Sequence, residues 1–248
     1  MNVLLTNDDG IHATALREVR EALAPLGRVF VVAPDRDQSA TSHALTLQRP
    51  FRIQQHETDV FSVDGTPTDC VVTAFYGLLG ERPDLVISGI NQGPNMGEDV
   101  FYSGTVAAAI EGALQGTPAI AASLASKEAW GFGEPARFLC RLVERLLERG
   151  LPRRHLLNVN IPGRAWSEIR GVRVTRLGSR IYHDTLVKKV DPRGRDYYWI
   201  GGEEPEWESI EGTDFHAVHA GWISVTPMRL DLTADPALGE LEAWGLEK

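Results

Sequence analysis

Short apolar runs separated by an amphipathic stretch do most to limit what this chain can become. Val3-Leu4-Leu5 and Val29-Phe30-Val31-Val32-Ala33 are too short for anything but buried strands. Between them, Ala13 to Leu26 carries Leu16, Val19, Leu23 and Leu26 at helical spacing, and Gly27 stops the helix. Strand, helix and strand before Asp35 make a βαβ unit, which closes as a right-handed crossover into a parallel sheet. The texture recurs. Asp84 to Gly89 reads as a strand, the residues from Val106 as a helix, and Pro118 to Leu124 as a strand. Pro135 to Arg149 reads as a helix with Phe138, Leu139, Leu142, Val143, Leu146 and Leu147 inward, and Leu156 to Pro162 as a further strand. The fold class that follows is α/β: a Rossmann-like, mostly parallel sheet with helices on both faces.

Two stretches depart from that alternation. Leu45 to Val63 has alternating segments (Phe51, Ile53; Val60, Phe61, Val63) that predict antiparallel excursion strands. Gly65-Thr66-Pro67-Thr68-Asp69-Cys70 predicts a turn into an apolar helix from Val71 to Leu79, with Thr68 or Asp69 as its N-cap. Capping accounts for Asp69 without a catalytic role, and Cys70 reads as a small core residue.

After Pro162 the pattern becomes β-rich. Val172 to Thr175 alternates, and Ile181 to Val190 faces Tyr197 to Ile200 across Asp191-Pro192-Arg193-Gly194-Arg195, a β-hairpin signature. A short helix from about Asp214 and the strand Trp222 to Pro227 follow. We therefore divide the chain into a core over residues 1–170 and a β-rich C-terminal part over 171–248. The hairpin, about 180–202, is an extension of the sheet fold, and the final strand is expected to return to the core. With Tyr182, Tyr197, Tyr198 and Trp199 and little core of its own, the hairpin reads as an arm for a partner subunit or as a twisted surface flap.

Composition excludes several classes. The 248 residues are 43% apolar, enough for one large core, and no stretch is long enough for a membrane helix. Strand-like sequence follows Met1 directly, so no signal peptide is read. Lys+Arg 25 against Asp+Glu 34 leaves −9, which argues against a nucleic-acid coat protein and suits recruitment of divalent cations. Cys70 and Cys140 are too few for a disulfide framework or a zinc site. A cytoplasmic location is the expectation.

The candidate chemistry lies where strands end. The first strand runs into Thr6-Asn7-Asp8-Asp9-Gly10, and in an open parallel sheet that edge faces the ligand crevice. Two adjacent carboxylates there repel each other unless a cation sits between them. The plainer reading of Asp-Asp-Gly is a turn. The loop from Asp35 to His43, containing Ser39, follows the second strand; it reads either as solvated surface or as a ligand loop, mobile until ligand arrives. Gly89, Gly93 and Gly97 recur in an Asn-studded loop that fits neither the dinucleotide fingerprint nor a P-loop. Ser103-Gly104-Thr105 then opens a helix, whose N-terminus is a ready anion site. Capping alone explains Ser103.

Taken together, Asn7-Asp8-Asp9-Gly10, the Ser39 loop, Ser88-Gly89-Ile90-Asn91, Gly93-Pro94-Asn95 and Tyr102 to Ala108 closely resemble the survival protein E (SurE) family of metal-dependent nucleoside monophosphate phosphatases. Gly65 to Cys70 and Val225-Thr226-Pro227 extend the resemblance over nearly the whole chain. It implies one divalent cation, Mg²⁺ or Mn²⁺, held by Asp8, Asp9, Ser39 and Asn91. It places Asn95, Ser103, Gly104 and Thr105 at the phosphate, with Asp8, Asp9, Asn95, Ser103 and Thr105 serving catalysis. Hydrolysis of 5′-monophosphates by water that the cation activates is the implied reaction, and a homodimer or homotetramer formed through the hairpin the implied assembly. The hard oxygen ligands suit those cations on their own account. Asp9 and a second cation-associated water are the candidates for protonating the leaving oxygen. The nucleobase, the choice between 5′ and 3′ esters and any polyphosphate cleavage stay open. A phosphatase with an aspartyl-phosphate intermediate, its nucleophile Asp8, is the enzymatic rival, disfavoured because such enzymes space their Asp residues two apart. A non-catalytic nucleotide sensor is the rival from another class.

Overall fold

The computed structural model describes residues 1–126, 128, 130–181, 184–202 and 206–245. In chain order the first half contains β1 (Asn2–Thr6), α1 (Thr14–Leu23), β2 (Arg28–Pro34), β3 (Ile53–Glu57), β4 (Val60–Val63), α2 (Pro67–Thr73), β5 (Leu85–Gln92), α3 (Gly104–Leu114) and β6 (Ala119–Ala125). The second half contains α4 (Gly133–Arg149), β7 (His155–Pro162), β8 (Val172–Val174), β9 (Arg180–Ile181), β10 (Asp184–Val190), β11 (Asp196–Gly202), β12 (Glu206–Trp207), α5 (Asp214–His219), β13 (Ile223–Arg229) and α6 (Asp235–Glu242).

One nine-stranded sheet organises the molecule, in the order β3-β4-β2-β1-β5-β6-β7-β13-β8. The strands from β4 to β7 run parallel; β3 on one side and β13 on the other pair antiparallel with their inner neighbours. From β1 the chain steps to β2 on one side, and later re-enters through β5 on the other. The boundary between β1 and β5 is thus the topological switch point, and the crevice outside the strands' carboxyl ends opens there. Val3, Leu4 and Leu5 are wholly buried, as a strand with helices on both faces requires. Leu16, Val19 and Leu23 of α1 pack with Leu139, Val143 and Leu146 of α4 over one face. Cys70 and Val71 of α2 join Val106, Ala108 and Ala109 of α3 over the other.

Several predicted boundaries move, each for a local reason. Helix α1 ends at Leu23 rather than Leu26, because Pro25 cannot donate a backbone hydrogen bond and the last turn tightens into a 3₁₀ turn over Ala24–Leu26. Helix α2 begins at Pro67, not Val71, and its cap is neither Thr68 nor Asp69. Thr66 caps it: its hydroxyl accepts from the Asp69 amide at 3.1 Å, while the Asp69 carboxylate accepts from the Thr66 amide at 2.8 Å. Leu147 is exposed although it was expected inward. One residue past buried Leu146, it is turned about 100° off the apolar stripe. Helix α6 was not foreseen; none of its residues is buried.

Strands β8 and β13 complete the large sheet, whereas β10 and β11 form a separate ladder from Asp184↔Gly202 to Val190↔Asp196. Its rings and aliphatic side chains, among them Leu186, Tyr198, Trp199 and Ile200, are exposed. Tyr182 lies outside the described residues. No helix among the described residues is long and apolar enough to cross a membrane.

Candidate active site

The crevice is built from the exits of β1, β2 and β5 and the start of α3. Chain reversal after β1 depends on Gly10, whose φ of 98° and whose missing Cβ, which would stand 3.0 Å from the Arg36 carbonyl carbon, exclude larger residues. Asn7 locks the same turn, its side chain donating to the Gly10 carbonyl and accepting from the Gly10 amide. Asp8 and Asp9 are thereby carried off the strand at the switch point. The turn reading and the ligand reading of Asp-Asp-Gly therefore hold together: the turn is what brings the two carboxylates into the crevice.

Asp8 is buried and gripped by the start of α3. Thr105 donates to its carboxylate twice, through the hydroxyl at 2.5 Å and the backbone amide at 3.1 Å. Gly104 permits the approach, because a Cβ there would lie 2.9 Å from Asp8 Cβ. Burial pushes the Asp8 carboxyl up; the Thr105 bonds oppose that, and Asp37 adds to it. Asp9 is half-buried and pushed up to about 6, first by burial and then by the charges of Asp8 and Asp37, against one backbone bond from Gln92. Ser39 follows Gln38, whose amide donates to the Asp8 carbonyl at 2.8 Å, so the loop after β2 is stitched to the turn after β1. The Ser39 amide and hydroxyl both bond to Asp37, at 2.7 and 2.6 Å. Asn91, next to last in β5, has its side-chain nitrogen on the Gly93 carbonyl, so its side-chain oxygen is not used in that bond. Asn95 is buried nearby, tied to Ser123, Asn158 and Asn160.

The expected phosphate donors divide. Ser103 caps α3, its oxygen accepting from the Val106 amide at 3.1 Å, and keeps its own hydrogen to donate. The Gly104 amide, first in the helix, has no intrahelical acceptor. Thr105 has both donors committed to Asp8 and orients that carboxylate.

Among the described residues, no three His, Cys, Asp or Glu side chains gather as a metal cluster. The donors at hand are two carboxylates, one hydroxyl and one amide oxygen. They fit a hard divalent cation, whose charge would offset the burial that chiefly raises both carboxyls and the neighbouring negative charges that add to it. The loop from Asp35 to His43 is more tied down than its polar sequence suggests. Ser42 bonds to the Phe101 and Tyr102 carbonyls, and His43 to Glu111 at 3.0 Å. Asp37, Ser123, Asn158 and Asn160 were not singled out from the sequence. The available signal was polar residues inside the apolar run Leu156 to Pro162.

The family model described as survival protein SurE matches residues 3–184, the span that contains every residue of this site. This chain belongs to the SurE family. It is 52% identical over 247 residues to the 5′-nucleotidase SurE of Geobacter sulfurreducens, covering 99% of this chain and 94% of that one. It is 47% identical to the 5′-nucleotidase SurE of Vibrio cholerae, covering 100% and 99%. The crystal structure of the SurE protein from Aquifex aeolicus superposes with a TM-score of 0.89 at 45% identity, covering 99% of this chain and all of that one.

Proposed function

We propose that this SurE protein is a divalent-cation-dependent phosphatase that hydrolyses nucleoside 5′-monophosphates, and 3′-monophosphates as well, to nucleoside and phosphate. The observation that carries the reading is the Asp8–Asp9 pair, turned into the switch-point crevice with Asp8 clamped to the N-terminus of α3 by Thr105. The nucleotidase names of its relatives, at about half identity over the full chain, support the substrate class.

Asp8, Asp9, Ser39 and Asn91 would hold the cation, which supplies a Lewis acid to polarise the phosphoryl group and acidify water. The chain's own residues do the rest. Thr105 fixes the direction of the Asp8 carboxylate. The Ser103 hydroxyl and the Gly104 amide meet the equatorial phosphoryl oxygens with the positive end of α3 behind them. Asn95 adds a side-chain amide donor. Asp9 and solvent are the two sources of the proton for the leaving oxygen.

The aspartyl-phosphate alternative asks Asp8 to attack phosphorus. Both Asp8 oxygens already accept from Thr105, and the residue is 5% exposed, which weighs against a nucleophile. Release of phosphate from adenosine and guanosine 5′- and 3′-monophosphates tests the reading. Protein stripped with EDTA should be silent and should recover with Mg²⁺ or Mn²⁺. Turnover that persists after stripping, or covalent phosphate trapped on the chain, would sink it.

A further inference from the structure

Four buried polar side chains from three parts of the chain meet at one point. The Asn95 amide donates to Asn160 Oδ1 at 2.9 Å, and its carbonyl accepts from Asn158 Nδ2 at 2.8 Å and Asn160 Nδ2 at 2.9 Å. Its side chain donates through Nδ2 to Ser123 Oγ at 2.7 Å. Ser123, Asn158 and Asn160 are wholly shielded from solvent.

Register explains the convergence. Asn91 pairs with Ser123 across β5 and β6, and Ser123 with Asn160 across β6 and β7. The three residues form one row perpendicular to the strands, each step about 4.8 Å. Asn158 stands two residues before Asn160 and so on the same face. That face also carries Ala119, Ala121 and Leu156, packed under α2 and α3, and the buried hydroxyls of Ser88, Ser224 and Thr226 on neighbouring strands. Polar side chains cost stability in such a place unless they are bonded. The side chains of Ser123, Asn158 and Asn160 direct their bonds to Asn95, and Asn158 Oδ1 is left without a partner. Small apolar residues in their place would leave the Asn95 amide and carbonyl unpaired, so what the row does is fix Asn95.

We propose that Ser123, Asn158 and Asn160 are positioning residues of the phosphatase reaction. They fix the Asn95 main chain and hold its side chain in one rotamer, so that the second Nδ2 hydrogen is presented to the phosphoryl group. The proposal rests on the functional reading above, in which Asn95 meets the phosphate. It follows from a count of donors. The Asn95 amide and carbonyl are both consumed, so the side chain is its remaining polar group. Nδ2 carries two hydrogens, and Ser123 takes one. The cation ligands Asp8, Asp9, Ser39 and Asn91 make none of these bonds. Losing the cradle should therefore separate catalysis from cation binding, which loss of fold would not do.

Ser123→Ala, Asn158→Ala and Asn160→Ala test this, with Ser123→Thr as the variant that keeps the acceptor. Four quantities are read with adenosine 5′-monophosphate and p-nitrophenyl phosphate as substrates: kcat and KM, Mn²⁺ affinity by calorimetry, thermal unfolding, and exchange of the Asn95 amide hydrogen. The expected result is a kcat lowered about 10–100-fold on both esters, the range for groups that orient a reacting residue. KM and Mn²⁺ affinity stay near wild type, Ser123→Thr recovers most of kcat, and Asn160→Ala speeds Asn95 amide exchange. Folded variants with wild-type kcat would overturn the proposal, as would loss of kcat matched by equal loss of Mn²⁺ binding. If the Asn variants fail to fold, Ser123→Ala against Ser123→Thr decides alone. Asn95→Ala separates the two levels. Were it inactive while the cradle variants behave as wild type, only the positioning role falls. Were it fully active, Asn95 does not meet the phosphate and the positioning role falls with it, while the phosphatase reading stands.

Discussion

At the scale of single residues, the crevice trades stability for charge. Asp9 has its carboxyl raised to about 6 by burial and by Asp8, so its folded-state value lies above that in the unfolded chain. The protonated group is compatible with folding, and that compatibility is lost as pH rises from about 4 through about 6. Asp9→Asn removes the titration. In cation-free protein its melting temperature should match wild type near pH 4 and exceed it by several degrees at pH 7.5, and saturating Mn²⁺ should shrink the gap. The same variant, like Asp8→Asn, should lose nearly all turnover while remaining folded. A gap that does not widen with pH would show that Asp9 carries no such strain; near-normal turnover at saturating Mn²⁺ would remove both residues from the cation site. These carboxylates were legible in the sequence because adjacency and a following glycine are local signals. Asp37 was not, since its effect on Asp8 and Asp9 depends on a loop folding back across β1.

At the scale of elements, residues 35–46 behave as a strap held at intervals. The sequence suggests a mobile lid, because the segment is polar and has no core of its own. In the fold its polar groups find partners on other elements: Gln38 on the Asp8 carbonyl, Ser42 at the end of the turn before α3, and Thr46 on Asp69. Asp69 is the anchor. It closes the capping box of α2 and takes the Thr46 amide at 2.9 Å and hydroxyl at 2.5 Å. Asp69→Ala should cost roughly 2–3 kcal/mol in urea unfolding, a lost cap plus bonds to a buried carboxylate. It should also raise hydrogen exchange over residues 38–46. A cost within experimental error, with exchange unchanged, would show that the strap is held elsewhere. The cap itself was misplaced from sequence by two or three residues. Thr66, Thr68 and Asp69 all suit a helix start, and only the position of Pro67 at the first turn selects among them.

At the scale of the whole molecule, the hairpin β10–β11 is a segment that the chain does not bury by itself. Leu186, Tyr198, Trp199 and Ile200 lie exposed on a two-stranded ladder, and such ladders are marginal in water without support. We propose a second copy of the chain as that support, in a closed twofold assembly. Replacing residues 184–200 with a short Gly-Ser linker should shift light-scattering mass to the monomer. Cation binding should survive in part, because Asp8, Asp9, Ser39 and Asn91 all precede α3. An unchanged assembly state would make the hairpin a surface flap.

The sequence by itself determined the alternation of strands and helices, the two-sided burial of the sheet and the family to which the chain belongs. Those follow from periodicities and motifs read over a few adjacent residues. Tertiary structure alone decided the rest. Strand order put the exits of β1 and β5 side by side, and register set Asn91, Ser123 and Asn160 in one row. The start of α3 came to rest on Asp8, whose partner Thr105 lies 97 residues away. Contacts across that separation depend on how the sheet is threaded, and no local window of sequence carries that information.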